Sequence, residues 1–223
     1  MTLPRTRLTE ALGCRYPIIQ TAMGWVSDSN LVIATTQAGG FGFLAGATID
    51  ASELENEIKR VVAATGGSNF GLNFHMFQEN AAQCIDLAIE YRLKAVSYGR
   101  GPDKETIARF KAAGVLCIPT VGALKHALKA IELGADMITI QGAEGGGHTG
   151  GVPSTILLPQ VLDAVTVPVI AAGGYSTGRG LASALAAGAE GIAMGTRFMM
   201  TSDSPTPKKT LDRYLATHDT QQI

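Results

Sequence analysis

Residues 141–150, Gln-Gly-Ala-Glu-Gly-Gly-Gly-His-Thr-Gly, place five glycines around one histidine directly after an apolar run. Within this stretch His148 is the side chain suited to exchanging a proton at neutral pH, with an unperturbed pKa near ~6.5, so it is the natural acid or base. The glycines suit a flat ligand, because a backbone without side chains approaches a planar ring closely and can aim amides at an anionic or electron-rich atom. A structural histidine is the alternative reading of His148. Glu144, the acid of the same loop, either orients His148 or caps the loop backbone, and the sequence does not choose between them.

Two further loops carry a different signal. Residues 171–180, Ala-Ala-Gly-Gly-Tyr-Ser-Thr-Gly-Arg-Gly, precede a small-residue helix, and Met194-Gly195-Thr196-Arg197 ends a later apolar run. Amide donors and the positive end of a helix make such loops a cradle for a phosphate, with Gly173, Gly174, Gly195 and Thr196 as the candidates. The alternative is that these glycines only permit tight turns. Ala22, Met23, Gly24 and Asn73 lie where they could contact a cofactor ring, although Met23 and Trp25 equally suit core or lid packing and Asn73 a helix cap. His126, between lysines, reads as a solvated face, His218 lies in the tail, and His75 is read as structural. No set of His, Cys, Asp and Glu has metal-ligand spacing, and no G-x-S-x-G elbow presents a nucleophilic serine.

Positioning these loops takes a scaffold, and the chain supplies a repetitive one. Eight apolar runs, at 17–22, 41–45, 70–73, 95–98, 115–121, 137–141, 167–172 and 191–198, are continuous rather than alternating, as in parallel strands covered on both faces. Segments 51–64, 80–91, 104–113, 123–133, 156–164 and 178–187 between them have helical spacing, and Gly114, Gly134 and Gly188 punctuate helix ends. Strand and helix in alternation predict a parallel α/β fold, and eight units predict a closed (β/α)8 TIM barrel over a single domain, 1–223. The competing open doubly wound sheet would need a G-x-G-x-x-G turn after the first strand, where Thr21-Ala22-Met23-Gly24-Trp25 stands instead.

Composition narrows the function classes. A formal net charge of −1 with scattered lysines and arginines provides no field for collecting nucleic acid. Three widely spaced cysteines fit neither a disulfide framework nor a zinc site, which points to the cytoplasm. Arg5, Glu10 and Arg15 interrupt any apolar stretch near the N-terminus, so neither a signal core nor a membrane span is expected. The expected partner is a small-molecule substrate, and a second copy of the chain could cover an open barrel mouth as a homo-oligomer.

Gln141 to Gly150, Ala171-Ala-Gly-Gly174 and Met194-Gly-Thr-Arg-Phe198, together with Pro17-Ile-Ile-Gln-Thr-Ala-Met-Gly24 and Ala38-Gly-Gly-Phe-Gly42, resemble the nitronate monooxygenases, formerly 2-nitropropane dioxygenases, over nearly the whole chain. The resemblance implies an FMN-dependent flavoprotein oxidoreductase on a TIM barrel, with Ala22, Met23, Gly24, Asn73, Gly147, Gly173, Gly174, Gly195 and Thr196 around FMN. It implies that His148 acts on a substrate α-proton or orients the substrate. Thr120 stands where some relatives carry a lysine near the flavin, and the lid or substrate segment that follows Gly-Thr-Arg-Phe in the family is largely absent here.

Oxidation of alkyl nitronates with O2 is the first expectation from this resemblance. The second is an NAD(P)H-dependent flavin reductase acting on a quinone or on a CoA or acyl thioester, as in related enoyl reductases and enzymes of steroid-ring catabolism. A flavin-binding barrel without turnover, and a flavin-free barrel that takes a phosphorylated substrate, are the remaining readings.

Overall fold

In a computed structural model, described for residues 5–99, 101–147 and 150–217, every strand pairing is parallel. The strands are β1 (Ile18–Gln20), β2 (Phe41–Leu44), β3 (Gly71–Phe74), β4 (Ala95–Tyr98), β5 (Leu116–Cys117), β6 (Thr120–Val121), β7 (Ile138–Gln141), β8 (Val169–Ala172) and β9 (Gly191–Met194). Their spatial order is β5-β4-β3-β2-β1-β9-β8-β7-β6.

The two ends of that order are consecutive in the chain. β5 and β6 are the halves of one extended run, 116–121, interrupted at Ile118-Pro119. Proline has no N–H for a ladder, yet its carbonyl still accepts from Thr139 N at 2.9 Å, while Ile118 N donates to Val96 O at 2.9 Å on the other side. One run therefore pairs with β4 by its first half and with β7 by its second, so the sheet closes as an eight-stranded barrel.

α2 (Ser29–Gln37), α3 (Ala51–Thr65), α4 (Ala81–Glu90), α5 (Lys104–Ala112), α6 (Leu124–Leu133), α7 (Ser154–Leu162) and α8 (Gly178–Ala186) cross between successive strands. The apolar spacing had marked six of these. α2 was missed, because Ser29-Asn-Leu-Val-Ile-Ala-Thr-Thr-Gln37 mixes small polar residues into its buried face, where Ser29 and Thr35 are buried beside Leu31 and Val32.

Ile19, Phe41, Phe43, Ala95, Ile118, Met137, Ile170 and Ala193 face one another inside the barrel and pack with Leu8 and Leu12. Those leucines belong to α1 (Arg7–Leu12), and Leu8 lies against Gly191 at the start of β9, so α1 closes the N-terminal end of the barrel. Arg7 anchors it, its Nε 2.6 Å from Glu190 Oε1 and its guanidinium donating to Thr166 O at 2.9 Å. With the lower end filled, the C-terminal mouth is left for a ligand, and every strand-to-helix loop ends there.

One expectation is corrected. The last apolar run was read as a strand through Phe198, but β9 stops at Met194 and Thr196–Met199 forms the short helix α9. Gly195 breaks the extended backbone with φ −106° and ψ −78°. α10 (Lys208–Leu215) follows, close to the expected helix at 207–216, and buries none of its residues.

Candidate active site at the barrel mouth

The loop after β7 is held from below by its own acid. Both carboxylate oxygens of Glu144 accept from Ser154 N, at 3.1 and 2.9 Å, and Ser154 Oγ donates to Glu144 Oε2 at 2.8 Å. Ser154 is the first residue of α7, whose N-cap Pro153 has no side-chain acceptor to offer, so Glu144 caps the helix from the preceding loop. Burial opposes ionisation of Glu144. Hydrogen bonds from its own backbone and from Ser154 outweigh it and hold the carboxyl below its usual 4.5.

Of the two roles open to Glu144 in the sequence, the structure supports loop capping. Gly142 is required beneath it, because a Cβ there would overlap Ser154 and come within 2.5 Å of the Glu144 carboxylate. Gln141 Nε2 donates to Gly146 O at 2.8 Å and sets the far side of the same loop. Gly147 follows with φ +75° and open space around it. His148 lies outside the described residues.

The loop after β8 rests on this one. Gly173 is so close that a Cβ would lie 3.1 Å from Gly142 N and 3.2 Å from Gly145 N. Gly174 has φ +78°, a conformation that suits glycine, and lies against Glu144. α8 begins four residues later, capped by Thr177, whose Oγ1 accepts from Gly180 N at 3.3 Å. Among the described residues, the Gly174 N–H has no acceptor within the protein. The glycine pair thus lies one short turn before the start of α8.

On the neighbouring side, Gly195 forms a floor beneath Met23, since a Cβ on it would sit 3.5 Å from Met23 Sδ and 3.4 Å from Thr21 Cγ2. Thr196, exposed, begins α9. The loop after β1 that carries Ala22, Met23 and Gly24 is braced by Ser27, whose Oγ accepts from Met23 N at 2.9 Å and from Gln20 Nε2 at 2.9 Å. Gln20 also donates to Thr21 O and Phe43 O. Asn73 does not cap a helix. Its amide donates to Ser97 Oγ at 2.8 Å and Ser97 O at 3.1 Å, joining β3 to β4 near their C-terminal ends.

Sequence reasoning missed Ser154, Ser27, Gln20 and Ser97, which brace the named site residues or their loops through hydrogen bonds. Gln20 was the one with a signal, a long polar side chain in an otherwise apolar run. His75 lies after β3, its Nδ1 3.4 Å from Gly99 O and its ring stacked on Phe77 at 5.3 Å between centroids.

Thiolate chemistry finds no support, because burial pushes the Cys14 thiol up to about 11 and those of Cys84 and Cys117 up to about 12. Among the described residues no group of His, Cys, Asp and Glu could hold a metal, and no helix is long and apolar enough to cross a membrane.

Known proteins resemble this chain in sequence and in fold. The chain is 50% identical, over 216 residues, to a protein of Rhodococcus jostii (strain RHA1) named (3aS,4S,5R,7aS)-5-hydroxy-7a-methyl-1-oxo-octahydro-1H-indene-4-carboxyl-CoA dehydrogenase, covering 97% of this chain and 61% of that one. It thus spans about three fifths of that relative's length. It is 30% identical to a Staphylococcus aureus (strain Newman) protein named "Probable nitronate monooxygenase", over 98% of this chain and 74% of the relative. The structure of FabK from Thermotoga maritima superposes with a TM-score of 0.91 at 32% identity, covering 96% of this chain and 68% of that one. A family model described as nitronate monooxygenase matches residues 5–88 and 78–221. By sequence and by fold, this chain belongs to the nitronate monooxygenase family of oxidoreductases.

Proposed function

We propose that this chain is a flavin-dependent oxidoreductase that holds FMN at the barrel mouth and acts at the carbon next to the carbonyl of an acyl-CoA thioester. The observation that supports the cofactor reading is the placement of Gly173, Gly174 and Gly195 just past the C-terminal ends of the paired strands β8 and β9, with Gly174 exposed, its N–H without an acceptor among the described residues, and α8 starting four residues on. These residues fit a flat ring with a phosphate tail. Gly174 N–H and α8 would take the phosphate, and Ala22, Met23, Gly24, Asn73, Gly147 and Thr196 would line the ring. When bound, a flavin accepts or delivers a hydride equivalent at carbon, chemistry the side chains cannot perform themselves.

His148 moves the proton at the α-carbon, and the Glu144–Ser154 lock holds the loop that carries it. The thioester is favoured over a nitronate by the 50% identity to a protein named as a CoA dehydrogenase, against 30% to one named for nitronates. Nitronate oxidation with O2 stands as the second reading, favoured by the family model itself. NAD(P)H enters as hydride donor if the reaction runs in the reductive direction.

An anaerobic absorbance scan of the purified protein tests these readings. A flavin band bleached by an acyl-CoA, or reoxidised by an enoyl-CoA after NADH, supports the proposal. Bleaching by a nitronate alone transfers it to the second reading, and the absence of a flavin band overturns both. In the active protein, His148→Asn is expected to keep the flavin band while turnover falls about 10²- to 10⁴-fold.

A further inference from the structure

Three of the six exposed large apolar side chains among the described residues lie on two loops of the barrel mouth. Trp25 is 84% exposed, Phe77 71%, and Met76 accompanies them. Trp25 follows β1 and the other two follow β3, and the intervening loop ties them together. Trp25 N donates to Thr48 Oγ1 at 3.0 Å, and the neighbouring Ala47 O accepts from Gln78 Nε2 at 3.0 Å. Gln78 in turn brackets His75, its Oε1 accepting from His75 N at 3.2 Å.

The exposure of Trp25 is built into the backbone. Its φ is +61°, a region that a bulky side chain rarely occupies, and with Arg92 it is one of two non-glycine residues there among those described. Phe77 is steadied by its stack on His75. No Asp, Glu, Lys or Arg occurs in residues 22–27 or 74–78, with the exposed acids Glu79 directly after the second stretch and Asp50 at the N-cap of α3, whereas the exposed Arg179 and Arg197 belong to the helices that open after β8 and β9, on the other side of β1 from β3. The exposed apolar side chains of the rim therefore stand on the loops after β1 and β3, and the two exposed arginines at the helix starts after β9 and β8. Trp25 is two residues from Met23, and His75 two from Asn73, so the apolar side chains continue the candidate site outward.

From this division, and resting on the acyl-thioester reading above, we propose that Trp25, Met76 and Phe77 form a platform for the hydrocarbon part of the acyl group. They select thioesters with a large apolar acyl chain or ring over short ones. A ligand with a phosphate-bearing carrier at one end and a hydrocarbon body at the other matches both groups of side chains.

Trp25 is the single tryptophan of the chain, so its emission reports on the platform directly, without turnover. The purified flavin-loaded protein is titrated with decanoyl-CoA, acetyl-CoA and free CoA. Decanoyl-CoA is expected to shift the emission to the blue and to bind at least about tenfold tighter than acetyl-CoA, because each buried methylene adds affinity. Phe77→Ala, an exposed position, is expected to shrink that ratio by about threefold or more while Trp25 still reports.

Equal binding of decanoyl- and acetyl-CoA with unchanged emission overturns the platform and leaves the thioester reading standing. Binding of none of the three, with the flavin band intact, overturns both. Emission already typical of a buried indole in the free protein, and reddening on dilution, assigns the rim to a second copy of the chain and overturns the proposal.

Discussion

At the scale of single residues, the mouth is shaped by side chains that hold backbone in place. Glu144 illustrates the energetics. Its carboxyl is depressed in the folded protein, so its contribution to stability is present above the ordinary carboxylate value of 4.5 and is lost as pH falls through the lower folded value. Glu144→Gln is expected to leave stability at pH 7 reduced and to flatten the acid limb of a stability-versus-pH curve, as followed by urea unfolding. An unchanged acid limb would remove Glu144 from its capping role. Gly174 makes a separate demand. A valine at φ +78° is strained by about 1–2 kcal/mol, so Gly174→Val is expected to lower flavin retention measured by absorbance ratio after gel filtration, with little change in far-ultraviolet circular dichroism.

At the scale of elements, three of the crossover helices, α2, α5 and α8, start on a short polar side chain that caps the first turn. Asp28 Oδ1 accepts from Leu31 N at 3.0 Å and Asp103 Oδ1 from Thr106 N at 2.9 Å, as Thr177 does for α8. Thr177→Ala is expected to cost about 1 kcal/mol in equilibrium unfolding and to weaken phosphate-dependent flavin binding, because the capped turn lies next to the glycine pair. Asp28→Ala should cost a similar amount and leave flavin binding alone. Equal losses of flavin in both would argue for general loosening rather than a cradle at α8.

These starts also show how much of the fold was legible. Strands appear in the sequence as apolar runs because both faces are buried, and helices as periodic runs because one face is. α2 escaped because its buried face includes Ser29 and Thr35, and the end of the last strand was misread because Phe198 and Met199 extend an apolar run through a change of backbone at Gly195.

At the scale of the molecule, closure of the sheet and filling of its lower end belong together. α1 precedes the first strand in sequence but lies beneath the barrel, where Leu8 and Leu12 are fully buried. Leu8→Ala should cost about 2–5 kcal/mol in urea unfolding, with flavin affinity at the opposite end of the barrel preserved. Outside the barrel, a groove between α2 and residues 202–205 is lined by Ile33, Ala34 and Gln37.

Local sequence determined the parallel α/β class, the order of units, the glycine-rich loops and the identity of His148 as the proton-carrying candidate, because periodicity, glycine content and side-chain chemistry are properties of short segments. The tertiary structure decided what depends on distant chain coming together. Pro119 divides one strand so that its halves pair with β4 and β7, Glu144 caps α7 from the preceding loop, Asn73 bonds to Ser97 rather than capping a helix, and Trp25 faces outward on a left-handed backbone. Each outcome rests on a partner set by packing of the closed barrel, and no spacing within a single segment encodes it.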